Sequence, residues 1–385
     1  MKAKSLKGNS TEEIRLALEE ALADGFRPRL GILFISIQQD RMAIAELLRQ
    51  QHIDLFGATS CGEFINNSQT EGGAVLLLLD LPRDAYSILF REIVEGSLQE
   101  TAASLAAEAK EQFDCPSLIL CSTGMNKEGS LLDGESLVKY IEQTIGPERL
   151  FFGGMAGDDM SFTGTWVFTH ERETDAGILA LVLDGNRIGL SGMAMTGWKP
   201  MGISRTVTKS TGNRLYSIDG KPAVEMYLKY LGKEEMKADK NFNVFEELGF
   251  TYPFITERES GGEMVLRSPL KIDHNENALV LDMEMPEGTR FWFSMPPDFD
   301  IVDEVLDEAT QVRNKEQEAD ALLIFSCAGR SPVLGPLVTA ENNGLAEIWQ
   351  SPMAGFFTYG EFGRTKKGKQ EFHSGACCWV ALKEK

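Results

Sequence analysis

Apolar positions along this chain alternate between short continuous runs and stretches where they recur every three or four residues. The first pattern predicts strands buried on both faces, the second amphipathic helices. Ser10-Thr-Glu-Glu13 ahead of Ile14, Leu18 and Leu22 combines a hydroxyl cap, a glutamate three positions on and a helical stripe. That predicts a helix which stops at Gly25, with Pro28 leading into a strand over 30–37.

From there one pattern recurs: a buried strand ending in a small hydroxyl residue, an amphipathic helix, a strand running into a glycine-rich corner that ends in a carboxylate, and a Gly/Ala-led apolar strand. The first copy has its strand over 32–36, helix over 42–50, corner Gly57-Ala-Thr-Ser-Cys-Gly-Glu63 and closing strand over 72–79. The second has 118–122, 135–145, Phe152-Gly-Gly-Met-Ala-Gly-Asp158 and 176–183. The last has 322–327, 344–350, Gly355-Phe-Phe-Thr-Tyr-Gly-Glu361 and 375–380. The corner glycines keep the same spacing in the first and last copies, Gly57 to Gly62 and Gly355 to Gly360, whereas Gly153 to Gly157 is one residue shorter.

These units predict an α/β fold of mixed sheets layered with helices. The short glycine-rich corners favour antiparallel neighbours over a strictly parallel doubly wound sheet. Between 184 and 320 the period is interrupted by strands near 189–198 and 205–208, a turn at Asp219-Gly220, a helix over 222–231 and an acidic excursion over 232–247. Two domains are expected: an N-terminal helix over 1–25, a first domain over 26–220 holding two copies of the unit, and a second over 221–385 holding the third.

The 385 residues carry 38 Lys+Arg against 58 Asp+Glu, a net charge of −20. Such a surface repels phosphate backbones and anionic lipid, so nucleic acid is not an expected partner. No apolar run approaches the roughly 18 residues of a membrane-spanning helix, and the lysines of the first eight residues precede no apolar signal core. A cytoplasmic protein is the expectation, with its six cysteines reduced and, lacking any Cys-x-x-Cys pair, no structural zinc.

The corner motifs, with Gly197-Trp-Lys-Pro-Met-Gly202, Val207-Thr-Lys-Ser-Thr-Gly-Asn213, Ile218-Asp-Gly-Lys-Pro-Ala223 and Phe325-Ser-Cys-Ala-Gly-Arg330 followed by Glu341, resemble the FIST family. This is a two-part sensory module of prokaryotic signal transduction. The resemblance implies a non-catalytic sensor of a small ligand, with amino acids or related metabolites the suspected class. Relatives are fused to, or encoded beside, histidine kinases, cyclic-dinucleotide enzymes or chemotaxis receptors. Here the last apolar strand ends a few residues before Lys385, so the expected output is a separate signalling protein of one of these kinds.

Site candidates follow from the corners. A glycine before a carboxylate at a strand end exposes backbone N–H groups and turns the carboxylate aside, an arrangement that suits a zwitterion. Gly62 with Glu63, Gly360 with Glu361, and Asp158 are therefore candidates; the competing reading is that each carboxylate merely closes its own turn. Arg330, just past Cys327 at a glycine, is placed either for bidentate carboxylate recognition or for an ion pair with Glu341. Phe356, Phe357, Tyr359 and Trp198 wall a pocket or fill the core.

Two alternatives stand. One is a cysteine- or carboxylate-dependent enzyme on amino acid or amide substrates, using Cys61 or Cys327, or Glu63 with Glu361. No repeated motif contains a histidine to activate a thiol. The other is a haem-based nitric oxide sensor, a property of some relatives. With no Cys-x-x-Cys-His, it would need a lone axial histidine, and His170 is the best placed; no cofactor is otherwise expected.

Overall fold

The computed structural model describes residues 1–257, 264–316 and 318–385. The chain forms two compact units: 1–195 with 300–331 and 335–385, and 196–299 with 332–334.

The larger unit is built from three six-stranded mixed sheets with one strand order. In each, a parallel pair forms the centre: Leu30–Ile35 with Asp54–Thr59, Pro116–Ser122 with Phe151–Met155, and Ala321–Cys327 with Met353–Thr358. A helix joins the two strands of each pair: Arg41–Gln50, Gly134–Ile145 and Leu337–Trp349. A closing strand, Ala74–Leu79, Gly177–Asp184 or Cys377–Glu384, lies antiparallel to the first strand of its pair. A leading strand, Ala3–Gly8, Tyr86–Glu92 or Ile188–Met195, pairs antiparallel with that closing strand. The smaller unit is an insertion in this plan, placed after the third leading strand and before helix Asp300–Glu316.

The hairpin that follows each corner does not return to its own sheet. Glu63–Ile65 pairs with Met353–Thr358 of the third module, Glu361–Arg364 pairs with Phe151–Met155 of the second, and Val167–Phe168 pairs with Asp54–Thr59 of the first. The three modules thus exchange hairpins in a closed cycle, and every corner is held between two modules.

The strands are apolar on both faces because both are covered. Leu30, Ile32 and Phe34, Val75, Leu77 and Leu79, Leu179 and Leu181, and Leu323 and Phe325 meet in one core shared by the three sheets. Leu33, Ile35, Leu76 and Leu78 face outward onto Ile14, Leu18, Ile44 and Leu48 of the first module's helices. Helix Thr11–Leu22 starts as its sequence predicts: Ser10 accepts from Glu13 N at 3.2 Å, and Glu13 Oε2 reaches back to accept from Asn9 N at 2.8 Å.

The third module's helix begins at Leu337, seven residues before its predicted start. Its early turns bury Glu341 and Asn342, and two buried polar residues break the apolar stripe on which the sequence reading depends. The acidic pairs Glu234-Glu235 and Glu246-Glu247 sit on short single-turn helices, Glu234–Ala238 and Phe245–Gly249; Asp303-Glu304 lies on the exposed face of Asp300–Glu316.

The smaller unit is a twisted antiparallel sheet ordered Met264–Arg267, Phe254–Glu257, Arg290–Met295, Lys199–Thr211, Arg214–Ile218, Ala278–Leu281, Pro269–Asp273. Helix Ala223–Tyr230 packs Tyr227 and Leu228 against Phe254, Phe291 and Phe293. The preceding turn has Asp219 and Gly220 at φ 49° and 74°, the paired left-handed conformation that this dipeptide favours. No helix among the described residues is long and apolar enough to cross a membrane.

Candidate functional site

The three corners meet. Cys61 N donates to Phe357 O at 2.9 Å and Phe357 N to Gly62 O at 2.8 Å, joining the first corner to the third. Gly157 N donates to Thr59 O and Asp159 N to Ser60 O, each at 2.9 Å, joining the second to the first. Met155 N donates to Gly360 O at 2.8 Å and Tyr359 N to Met155 O at 3.2 Å, closing the cycle. Glycine is required where backbones approach this closely: a Cβ on Gly157 would lie 2.4 Å from Cys61 Sγ.

The first and third corners share one internal design. Glu63 is fully buried; one carboxylate oxygen accepts from the Ser60 hydroxyl, the other from Gly73 N at 3.1 Å and Thr70 Oγ1 at 3.3 Å. Glu361 is fully buried too, accepting from Thr358 Oγ1 at 2.5 Å and Ala376 N at 3.0 Å. In both, a hydroxyl three residues upstream takes one oxygen, and the residue just before the closing strand gives its N–H to the other. Burial pushes the Glu63 carboxyl up to about 7 and the Glu361 carboxyl up to about 8, with the hydrogen bonds only partly opposing it.

The second corner is built differently. Asp158 is also fully buried, but its Oδ2 accepts from Thr163 N at 2.6 Å and Gly164 N at 3.0 Å, so it organises the loop that follows it. Its Oδ1 accepts from the Tyr359 hydroxyl of the third module. The pinning role falls to Thr174, whose Oγ1 accepts from Ala176 N at 3.1 Å. Within the loop, Asp159, Met160 and Phe162 all take left-handed φ, 54°, 60° and 54°, a conformation costly for non-glycine residues. Phe162, 43% exposed, stacks on Tyr359 with ring centroids 5.7 Å apart and planes within 4°. Asp159 accepts from Ser36 Oγ at 2.6 Å and Gln38 Nε2 at 3.2 Å. The Cys61 thiol lies beside the Tyr359 hydroxyl.

One spot therefore collects Cys61 from the first module, Asp158 and Phe162 from the second and Tyr359 from the third. Asp159 and Phe162 were not among the sequence candidates. The one-residue contraction of the second corner and its Asp-Asp doublet were the signals that could have found them.

Of the sequence candidates, Gly62, Asp158 and Gly360 belong to this junction, with Glu63 and Glu361 enclosed behind it. The Cys327 thiol lies beside the Glu361 carboxyl. Arg330 is fully buried in a two-point ion pair, Nε to Glu341 Oε2 at 2.9 Å and Nη2 to Oε1 at 2.5 Å, and its Nη1 donates to Gly375 O at 3.3 Å. Phe356 packs on Phe34 at 4.3 Å and Phe357 on Phe64 at 5.2 Å, both within the core. Trp198 lies in the smaller unit, where its indole donates to Thr251 O at 3.1 Å.

The alternative chemistries find little support in this geometry. Burial pushes the Cys61 thiol up to about 12 and the Cys327 thiol higher, the reverse of an activated thiolate. His170 does not fit a haem iron: its Nδ1 lies 3.0 Å from Ala45 O and its Nε2 2.6 Å from Ile53 O, so both ring nitrogens face carbonyl oxygens. Among the described residues no group of three His, Cys, Asp or Glu is placed to hold a metal ion.

Comparison with protein families places the chain. A FIST N domain model matches residues 29–221 and a FIST C domain model matches residues 223–364. The chain belongs to the FIST family, whose domains are generally sensory modules of signal transduction. No curated protein matches it. The seam between the two family models falls inside the smaller compact unit, at the start of helix Ala223–Tyr230.

Proposed function

We propose that this chain is a cytoplasmic, non-catalytic sensor that binds a small metabolite such as an amino acid at the junction of its three corners. It would pass the signal to a separate protein of the histidine kinase or cyclic-dinucleotide enzyme kind. The observation that carries the reading is the convergence of Cys61, Asp158 and Tyr359, one side chain from each module, at a corner that departs from the design of the other two. Departures from a repeated local rule concentrate where function demands them.

The chemistry suits an ammonium group. Asp158 and Asp159 accept hydrogen bonds from neutral donors, N–H, hydroxyl and amide groups, and the exposed face of Phe162 adds a surface that attracts cations. An ammonium at Asp158 Oδ1 competes with the Tyr359 hydroxyl. Displacing Tyr359 loosens its stack on Phe162 and its link to Cys61, so occupancy changes the contact among all three modules. A ligand shifts such an equilibrium only by its difference in affinity for the two arrangements, and this competition supplies the difference.

Native mass spectrometry of the protein as purified, beside its denatured mass, tests the reading. The expected result is a metabolite-sized excess, lost on denaturation and absent from Asp158→Asn. Bare protein, together with no thermal shift from millimolar concentrations of any common amino acid, would overturn it.

A further inference from the structure

The helices joining the parallel pairs are equivalent in topology but not in what they bury. Arg41–Gln50 buries Ile44, Ala45 and Leu48; Gly134–Ile145 buries Gly134, Leu137, Val138, Ile141 and Ile145. Leu337–Trp349 buries Glu341, Asn342 and Trp349 along with its apolar residues. Glu341 is answered by Arg330, but Asn342 is not. It is 2% exposed, and neither its Oδ1 nor its Nδ2 has a hydrogen-bond partner among the described residues.

It has company. Trp349, seven residues on and therefore on the same stripe, is 2% exposed with Nε1 unpartnered. Trp379, fully buried with its ring 5.6 Å from that of Trp349, also has an unpartnered Nε1. Ser326, fully buried with Oγ unpartnered, lies opposite Cys377 in the ladder, and Cys377 contacts Glu341 on this helix. These side chains therefore belong to the layer between the helix and the third sheet. Leaving one such group unsatisfied costs about 1–3 kcal/mol, and native interiors pair the great majority. Several in one layer point to an occupant rather than to chance.

We propose that this layer is a second binding site, and that it takes a small organic carboxylate. Three N–H groups, Asn342 Nδ2 and the two indoles, stand against one carbonyl oxygen, Asn342 Oδ1, with the Ser326 hydroxyl able to serve either way. A donor-rich set of neutral groups matches carboxylate oxygens. The site's route to solvent is the cleft of about 490 Å³ lined by Asn66, Asn67, Ala346, Glu347 and Gln350, because Ala346 lies one helical turn beyond Asn342. The site does not depend on the corner junction, and its ligand exchanges only when the helix opens locally.

The test is the indole region of the proton–nitrogen NMR spectrum of the full chain, with the Trp349 and Trp379 signals assigned from Trp349→Phe and Trp379→Phe. Acetate, succinate and glutamate are added separately with long equilibration. At least one should shift both signals saturably, with the shifts lost in Asn342→Leu and retained in Tyr359→Phe. Flat titrations with all three overturn the site, as do shifts that survive Asn342→Leu. A rise in melting temperature for Asn342→Leu without any change in the titrations would show that Asn342 is only an unsatisfied amide. Failure here leaves the corner junction standing, because that reading is tested through Asp158→Asn.

Discussion

Two of the three corners are closed and the third is open, although one chain plan produced them all. At the first and third, a buried glutamate takes a hydroxyl on one side and the N–H leading into the closing strand on the other, so all its bonding is spent on local structure. At the second, the carboxylate is one methylene shorter and the corner one residue tighter. Asp158 cannot make the same span; it holds its own loop and a tyrosine from another module. The difference teaches that one chain plan can spend its corner carboxylate on the closing strand in two copies and, in the other, on its own loop and a contact with another module.

The largest expected effect follows from removing a closing carboxylate. Glu361→Ala leaves the Ala376 N–H buried without an acceptor and the Thr358 hydroxyl with only Ser326 O at 3.2 Å, whereas Glu63→Ala strips both Ser60 and Gly73 of theirs. Unsatisfied buried groups at about 1–3 kcal/mol each put the Glu63→Ala loss on the order of 3–4 kcal/mol and the Glu361→Ala loss somewhat below it. Chemical denaturation should show it as a lower midpoint with an unchanged slope. If either variant proves as stable as the parent, the closed corners are not what holds the closing strands.

A smaller loss is expected from Gly157→Ala, which tests the meeting of the corners. The new methyl group must displace Cys61 Sγ, 2.4 Å away, in a well-packed junction. Overpacking of this kind costs about 1–3 kcal/mol. Adding Cys61→Ala removes the side-chain clash but leaves Cys61 N and the Ser60 carbonyl carbon 2.9 Å from the new methyl group, so only part of the loss should return; full recovery would mean that the two backbones can part.

The closed corners also carry a pH signature. Both glutamates keep their protons in the folded protein to about 7 and about 8, whereas in the unfolded chain they ionise near the ordinary value of 4.5. The unfolded state therefore binds fewer protons across that window. The stabilisation is fully present below about 4.5 and is lost as pH rises through 7 to 8, by up to about 1.4 kcal/mol per pH unit for each carboxyl. Melting temperatures from pH 5 to 8 should fall more steeply in the parent than in a Glu63→Gln, Glu361→Gln variant. Parallel curves would mean that these groups ionise normally.

The strand centres, the corners and most helices could be read from the chain because burial on both faces leaves a nearly unbroken apolar run, as in Ala74–Leu79. The cyclic exchange of hairpins could not. Val167–Phe168 and Glu63–Ile65 are too short to show a period, and their partners lie more than a hundred residues away. At the candidate site, Gly62, Asp158 and Gly360 stood out through their spacing. Tyr359 was read only as pocket wall or core, and Phe162 not at all, since a solvent-exposed phenylalanine in a left-handed turn carries no sequence pattern. Asn342 was hidden for the opposite reason: a polar residue inside a buried stripe looks like the end of a helix.

The smallest expected change in stability is also the one that separates the open corner from the closed ones. Tyr359→Phe keeps the ring and its stack on Phe162 but removes the hydroxyl that donates to Asp158 and lies beside the Cys61 thiol. The buried Asp158 keeps its two backbone donors, so the stability lost is that of one charge-assisted hydrogen bond, about 1–2 kcal/mol. Its effect on ligand should run the other way. With no hydroxyl competing for Oδ1, an ammonium binds more tightly, and a metabolite retained by the parent should be retained at higher occupancy, while Asp158→Asn loses it. If Tyr359→Phe and Asp158→Asn lose ligand equally, the tyrosine is a direct contact and not a competitor. If neither changes occupancy, the second corner is as structural as the other two.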